Sequence, residues 1–282
     1  MTFIWAMIVN RFTPKGTAIL KALGRYKFLT YQQMIRLGID KYPNNLSRLM
    51  KGLKEGKKPY VKAIPKRVGI PLKYYLTPKA KKVLLELYDF DDSEVKLPKG
   101  PIYTDTQDQA HRTRTISIQI ELDLACQSKG LRIDFTDRYF DTVGNNRVAK
   151  NLKSKTAFHI NNHKTIKADL IFGIETEKQL EYYTLELENG SDSQKAVDKC
   201  IEHAQALLKG SLNEKFGISY GYRSLWVFER EVIMDKVIER LQQVPLFEHL
   251  HEYFLFKPLA AIEKDFLSGW KNVSAVERNL YY

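Results

Sequence analysis

Apolar positions along the first ninety residues recur at helical spacing. In "PKGTAILKALGRYKF" (14–28), Ile19, Leu20 and Leu23 share a face and Pro14 suits a helix start. In "LTYQQMIRLGI" (29–39), Thr30 with Gln33 three residues on predicts a capping box. Met34, Ile35 and Leu37 supply the apolar side there, and Gly38 supplies the stop. "NNLSRLMKGLKEGKK" (44–58) predicts a third helix, capped by Asn44 or Asn45. Leu46, Leu49, Met50 and Leu53 form its stripe, and Arg48, Lys51 and Lys54 project away from it. The period then shortens. "PYVKAI" (59–64) and "LKYYLT" (72–77) read as two strands around the basic loop "PKRVGIP", and Thr77 with Pro78 opens a fourth helix, "PKAKKVLLELY". Residues 89–109 show no period, are acidic at first and then rich in Pro and Gly, and read as a boundary.

Beyond that boundary helices and strands alternate. "HRTRTISIQIELDLACQSKG" (111–130) predicts a helix stopped by Gly130, although its alternation at 116–122 also suits a strand. "LRIDFTDRYF" (131–140), "TIKADLIFGI" (165–174) and "QLEYYTLELE" (179–188) read as strands, the last two joined by the polar turn "ETEK". "SDSQKAVDKCIEHAQALLKG" (191–210) is an amphipathic helix. A strand at 223–229, a helix at 232–243 and a strand at 252–259 complete the order. This pattern predicts an α/β domain with a mixed sheet over residues 109–282, a linker at 91–108, and a first domain over 1–90. Helix, helix, helix, strand, loop, strand, helix is the winged-helix order, with the third helix placed to enter the major groove of DNA.

Charge sharpens this division. The chain of 282 residues carries a net charge of +12, but residues 1–88 hold 19 Lys/Arg against three acids, Asp40, Glu55 and Glu86. That segment is therefore +16 and the remainder −4. One half is drawn to a polyanion and the other is not, and double-stranded DNA is the expected partner. Arg48, Lys51 and Lys54 on the third helix, with Lys66 and Arg67 at the loop tip, are the expected phosphate contacts. Cys126 and Cys200 are the only cysteines; they suggest a reducing compartment and give no support to a disulfide scaffold or a zinc site. The opening "MTFIWAMIV" lacks a leading positive charge and is far shorter than the ~20 apolar residues of a membrane span. These features point to a soluble cytoplasmic protein with no membrane partner.

The chemistry concentrates in "YYTLELENGSDSQKAVDKC" (182–200), where Glu186 and Glu188 fall inside an apolar strand. Unpaired buried carboxylates cost several kcal/mol, roughly 2–7 even for neutral polar groups. An even hairpin loop centred between Glu177 and Lys178 sets Asp169 directly opposite Glu186, on one face, with Glu188 two residues along. Three carboxylates gathered this way call for a cation. Mg²⁺ is the economical choice, Mn²⁺ the alternative, and all three residues are candidate metal ligands. The plainer reading is an exposed strand face whose charges meet Lys167 and Lys195.

Asp, a turn, and a strand carrying Glu-X-(Glu/Lys), inside helix–strand–strand–strand–helix–strand, resembles the PD-(D/E)XK nuclease fold. A winged helix, a linker, the His-led "AHRTRTISIQIEL", "KADLIFGI", "LELENGS" and a long helix together resemble the replication-relaxation family, which includes plasmid MobC-type relaxases. The resemblance covers nearly the whole chain. It implies a metal-dependent DNA endonuclease or nickase at a plasmid or mobile-element origin, with other plasmid mobilisation or replication proteins as partners. Under it, Asp169, Glu186 and Glu188 match the family's acidic positions and His111 matches the His that opens its first nuclease-domain helix. The nuclease motif places a Lys two residues after the Glu, where this chain has Glu188. Lys195 is the nearest replacement, with Lys199 four residues further on the same face. The alternative function is a non-catalytic DNA-binding regulator of plasmid replication or transfer.

Overall fold

The computed structural model describes residues 12–64, 71–88, 90–92, 94–98, 108–144, 152–161, 164–218 and 221–280. The chain divides into two compact units, Met1–Ile120 and Glu121–Tyr282. Among the described residues no helix is long and apolar enough to cross a membrane, and Cys126 and Cys200 are buried free thiols.

The first unit follows the predicted order: α1 (Pro14–Tyr26), α2 (Tyr31–Arg36), α3 (Pro43–Lys54), β1 (Val61–Ile64), β2 (Lys73–Leu76) and α4 (Pro78–Leu87). The capping box forms as expected. The Thr30 hydroxyl accepts from the Gln33 amide at 3.2 Å, and the Gln33 side chain accepts from the Thr30 amide at 2.9 Å. β1 and β2 pair antiparallel, and Leu29 between α1 and α2 adds a bridge to Tyr74. Ile19, Leu20, Leu23, Met34, Leu46, Met50 and Leu84 are buried in this unit. The start of α3 differs from expectation. Neither Asn44 nor Asn45 caps it; Tyr42 is the N-cap residue without a side-chain bond, and Pro43 occupies the first turn. Asp40 organises the entry instead, accepting from the Tyr42 amide at 2.9 Å and the Asn45 side chain at 3.2 Å. The helix stops at Lys54, short of the predicted 58.

The second unit is a mixed α/β structure. A long helix, α5 (Gln109–Ser128), begins in the first unit and ends in the second; Gly130 follows at φ +68°, a conformation glycine adopts without steric cost. Then come β3 (Arg132–Arg138), two small antiparallel pairs, β4 (Thr142–Val143) with β5 (Lys153–Ser154) and β6 (Ala157–Asn161) with β7 (Lys164–Lys167), and the strands β8 (Leu170–Glu175) and β9 (Leu180–Glu188). The chain continues through α6 (Ser193–Leu208), α7 (Ser211–Phe216), β10 (Arg223–Phe228), α8 (Glu231–Leu241), β11 (Phe254–Pro258), α9 (Leu259–Ile262), β12 (Trp270–Asn272) and β13 (Glu277–Arg278). The seven-stranded sheet has the order β13-β12-β11-β10-β9-β8-β3. β3, β8 and β9 form an antiparallel meander, and β9, β10 and β11 run parallel. α6 and α8 cover one face, with Ala196, Val197, Cys200, Ala204, Met234 and Val237 packed on Trp226, Phe228, Phe254 and Phe256.

The second unit departs from the predicted pattern in two places. The single strand expected at 165–174 is broken at Ala168–Asp169. Its first half pairs with β6 and its second half enters the main sheet, because the Ala168 carbonyl is taken by the Thr156 hydroxyl at 2.5 Å and the Asp169 carbonyl by the Tyr139 amide at 3.0 Å. The short strands between 142 and 161, together with β12 and β13, leave no readable period in the sequence.

Replacing Thr30 by Ala removes the hydroxyl half of the capping box, leaving the Gln33 side chain on the residue-30 amide, and should lower stability by about 1 kcal/mol. Urea denaturation of the full chain measures this; a loss under a few tenths of a kcal/mol would show that α2 is held by packing alone.

Candidate functional site

The site is built at the carboxyl end of β9. The β8–β9 hairpin has the predicted register: Leu170 faces Leu185 and Ile171 faces Thr184, so Asp169, one residue beyond β8, stands opposite Glu186. Asp169 is 7% exposed, and its Oδ2 accepts from the Leu187 amide at 2.8 Å, which fixes it against β9. Glu186 is wholly buried and Glu188 is partly exposed. On the parallel neighbour β10, Glu186 pairs with Trp226 and Glu188 with Phe228. The two glutamates thus stand on the face that α6 covers, over an aromatic floor.

α6 supplies the compensation. Asp192 caps the helix by accepting from the Gln194 and Lys195 amides at 3.0 and 3.3 Å. Lys199 then places its Nζ 2.8 Å from Glu186 Oε2 and 2.9 Å from Glu188 Oε1. One turn on, His203, also wholly buried, brings Nε2 to 2.9 Å from Glu186 Oε1. The bond from Lys199 to Glu188 is well directed. At Glu186 the partners lie at ion-pair distance but off the hydrogen-bonding direction. His203 Nδ1 is likewise buried without a hydrogen bond, and the imidazole stacks edge-on to Trp226 and Phe158.

The electrostatics follow from this packing. Burial by itself would push the Glu186 carboxyl up. The Lys199 ammonium, with His203 beside it, outweighs burial and holds the group well below the usual value of 4.5. Burial works on Lys199 in the opposite direction, and Glu186, then Glu188 and Asp169, raise it above the ordinary lysine value. Lys199 is therefore the cation that Glu186 and Glu188 share, with Asp169 adding to the negative field around it.

Lys195 does not reach this cluster. It sits one helical turn short, about 6 Å along the axis, with its side chain 85% exposed and 3.9 Å from Asp192. Lys199, second in the sequence reading, takes the place. His203 escapes the sequence reading; its trace there is a titratable side chain four residues from Lys199, beside an otherwise apolar stripe. His111 lies on α5 within the first unit, its carbonyl accepting from the Thr115 hydroxyl at 3.0 Å. On α3, Arg48, Lys51 and Lys54 are exposed opposite the buried Leu46, Met50 and Leu53. Lys66 and Arg67 lie outside the described residues. Among the described residues, no three Asp, Glu, His or Cys side chains are set to hold a metal ion as the chain stands.

A cavity of about 740 Å³ opens at the opposite, amino ends of β9, β10 and β11. Four of its charged groups form two pairs: Arg223 meets Glu181 at 2.5 Å and Arg278 meets Glu252 at 2.6 Å. Ligands of open α/β sheets bind outside the carboxyl ends of the strands, and the Glu186 cluster occupies that end.

Because the Glu186 pKa is lower folded than unfolded, its pairing stabilises the protein above about pH 4.5 and is lost as pH falls below that value. Wild type should therefore lose stability steeply on acidification below pH 4.5, and Glu186→Gln should show a flatter profile there. Urea midpoints measured from pH 7 to pH 3 test this; parallel profiles for the two proteins would contradict it.

Compared with protein-family models, curated proteins and solved structures, the chain finds no match.

Proposed function

We propose that the chain is a DNA-processing protein of two parts. The first unit acts as a winged helix that docks on duplex DNA through α3. The second acts as a PD-(D/E)XK-type, relaxase-like nickase at a plasmid or mobile-element origin. The observation that carries this reading is the position of Lys199: a lysine from the following helix stands beside both glutamates and restores in space the Lys that the strand motif lacks. The order α5-β3-β8-β9-α6-β10, with an antiparallel meander and then a parallel strand, supports the same reading. So does the exposed basic face of α3 in a segment of net charge +16.

The donor chemistry suits Mg²⁺ or Mn²⁺. Asp169, Glu186 and Glu188 offer hard oxygens, and an ion at Glu186 would have to displace Lys199 and His203, which stand 2.8 and 2.9 Å from its two oxygens. These three residues would hold the ion, which when bound supplies Lewis acidity at the scissile phosphate and a more acidic water. The chain's own groups do the rest. The Leu187 amide orients Asp169, Trp226 and Phe228 keep water from the floor, and Lys199 holds an ammonium where phosphate charge would develop. His111 and Lys195 carry no role in this reading.

One observation favours the second reading, a non-catalytic DNA-binding regulator of plasmid replication or transfer. Lys199 already neutralises Glu186 and Glu188 without any added ion. Supercoiled plasmid separates the two. The nickase reading expects open circle with Mn²⁺ or Mg²⁺ and none with EDTA, and a loss of about 100-fold or more in Glu186→Gln with DNA binding retained. Intact binding with no nicking under any cation would establish the regulator.

A further inference from the structure

Between Asp141 and Asp169 the chain has no acidic residue and six Lys/Arg, in a half of the sequence whose net charge is −4. The structure turns part of this stretch into a two-faced platform. In the β6–β7 hairpin, Phe158, Ile160 and Ile166 are buried and pack with Ala168, Ile171, Ala206, Leu212 and Tyr222. Ala157 pairs with Lys167 and His159 with Thr165, so these side chains share the opposite face. His159, Thr165 and Lys167 are exposed there, and Asn161 and Lys164 beside the turn and Lys153 on β5 are exposed as well. Among the described residues the hairpin exposes no large apolar side chain, while Val143, paired with Lys153, is exposed.

The platform is fixed rather than loosely hung. Lys209 donates to the Ile160 carbonyl at 3.0 Å and Lys215 to the Ala157 carbonyl at 2.9 Å. The Thr156 hydroxyl ties it to Ala168 and the Ser154 hydroxyl to Tyr139. Nearby acids answer only part of the charge: Lys155 meets Asp137 at 3.4 Å and Lys164 meets Glu202 at 2.8 Å. Lys153 and Lys167 form no ion pair among the described residues, and Lys167 lies over the Tyr139 ring. Lys167 is also two residues from Asp169, about 7 Å of extended chain at most.

We propose that the outer face of the β6–β7 hairpin, with Lys153, is a second nucleic-acid contact that holds a phosphodiester backbone beside Asp169, Glu186 and Glu188. It rests on the reading that the chain acts on DNA. The contact is to the backbone alone: ammonium, hydroxyl, amide and imidazole groups suit phosphate oxygens, and the hairpin exposes no Phe, Tyr or Trp ring to stack on a base. An anionic lipid surface shares the charge, but among the described residues the hairpin exposes no large apolar side chain to enter a membrane, and Val143 beside Lys153 is a single short one.

The experiment uses the full chain and a fluorescein-labelled duplex, with anisotropy titrations over a range of salt. The proteins are wild type, Lys153→Gln/Lys164→Gln/Lys167→Gln, and Arg48→Gln/Lys51→Gln/Lys54→Gln. The hairpin variant should bind more weakly, and its slope of log K against log salt should be shallower by ~0.9 for each phosphate it no longer neutralises. Wild-type affinity and slope in the hairpin variant, with binding weakened in the α3 variant, overturns the hairpin contact and leaves the DNA reading standing. No binding of the duplex by wild type overturns both. Weakened binding in the hairpin variant alone supports the hairpin and removes α3 from the interface. A parallel arm with phosphatidylglycerol vesicles completes the set: loss of vesicle binding in the hairpin variant, with duplex binding unchanged, assigns the face to lipid and overturns the proposal.

Discussion

A carboxylate with no access to water, set in the middle of a strand, is the constraint that shapes the second unit. Glu186 is wholly buried between β9 and α6, and an uncompensated charge there would unfold the site or lose its ionisation. The chain answers with Lys199 and His203, four residues apart on α6 and each within 3 Å of a different Glu186 oxygen. That answer fixes the rest. α6 must be capped at Asp192 so that its second turn, not its first, lies over the glutamates. β10 must run parallel to β9 so that Trp226 and Phe228 form the floor. Asp169 must stand at the matching height just before β8, where its bond to the Leu187 amide holds it.

Much of this is legible in the sequence. The β8–β9 register follows from an even polar turn and period-two alternation, because a one-residue slip would turn every side chain to the wrong face. The helices α1 and α2 follow from apolar spacing with caps of known chemistry; α4 follows from its apolar spacing and Pro78, but the Thr77 hydroxyl expected to cap it donates to the Pro59 carbonyl at 2.8 Å instead. What the sequence hides has physical causes. Lys195 and Lys199 lie on the same side of a helix, and spacing alone does not say which turn reaches a strand glutamate; the loop length from Glu188 to Asp192 decides that. The strands between 142 and 161 are two to five residues long, paired only locally, and carry too few alternating positions to show a period. The cap of α3 differs because Asp40, outside the predicted helix, takes over the entry that Asn44 or Asn45 was expected to organise.

The charge distribution gains meaning from the structure. The basic excess of residues 1–88 includes the exposed side of α3. The acidic second half contains its own basic exception in the β6–β7 hairpin, next in sequence to Asp169. That hairpin exists because the chain breaks at Ala168–Asp169, the same break that brings Asp169 to the end of β8 opposite Glu186. The placement of the acid and the placement of the basic face are therefore one event in the backbone.

The account stands on the coupling between Glu186 and Lys199. A double-mutant cycle with Glu186→Gln, Lys199→Met and the double variant, read by urea denaturation at pH 7, measures that coupling directly. Lys199→Met alone leaves a buried carboxylate without its cation and should cost about 3 kcal/mol, the lower end of the range for a broken buried pair, because Lys199 is 37% exposed. The account predicts that the double variant is more stable than Lys199→Met alone, with a coupling of about 2 kcal/mol. Additive effects, agreeing within about 0.5 kcal/mol, would contradict it.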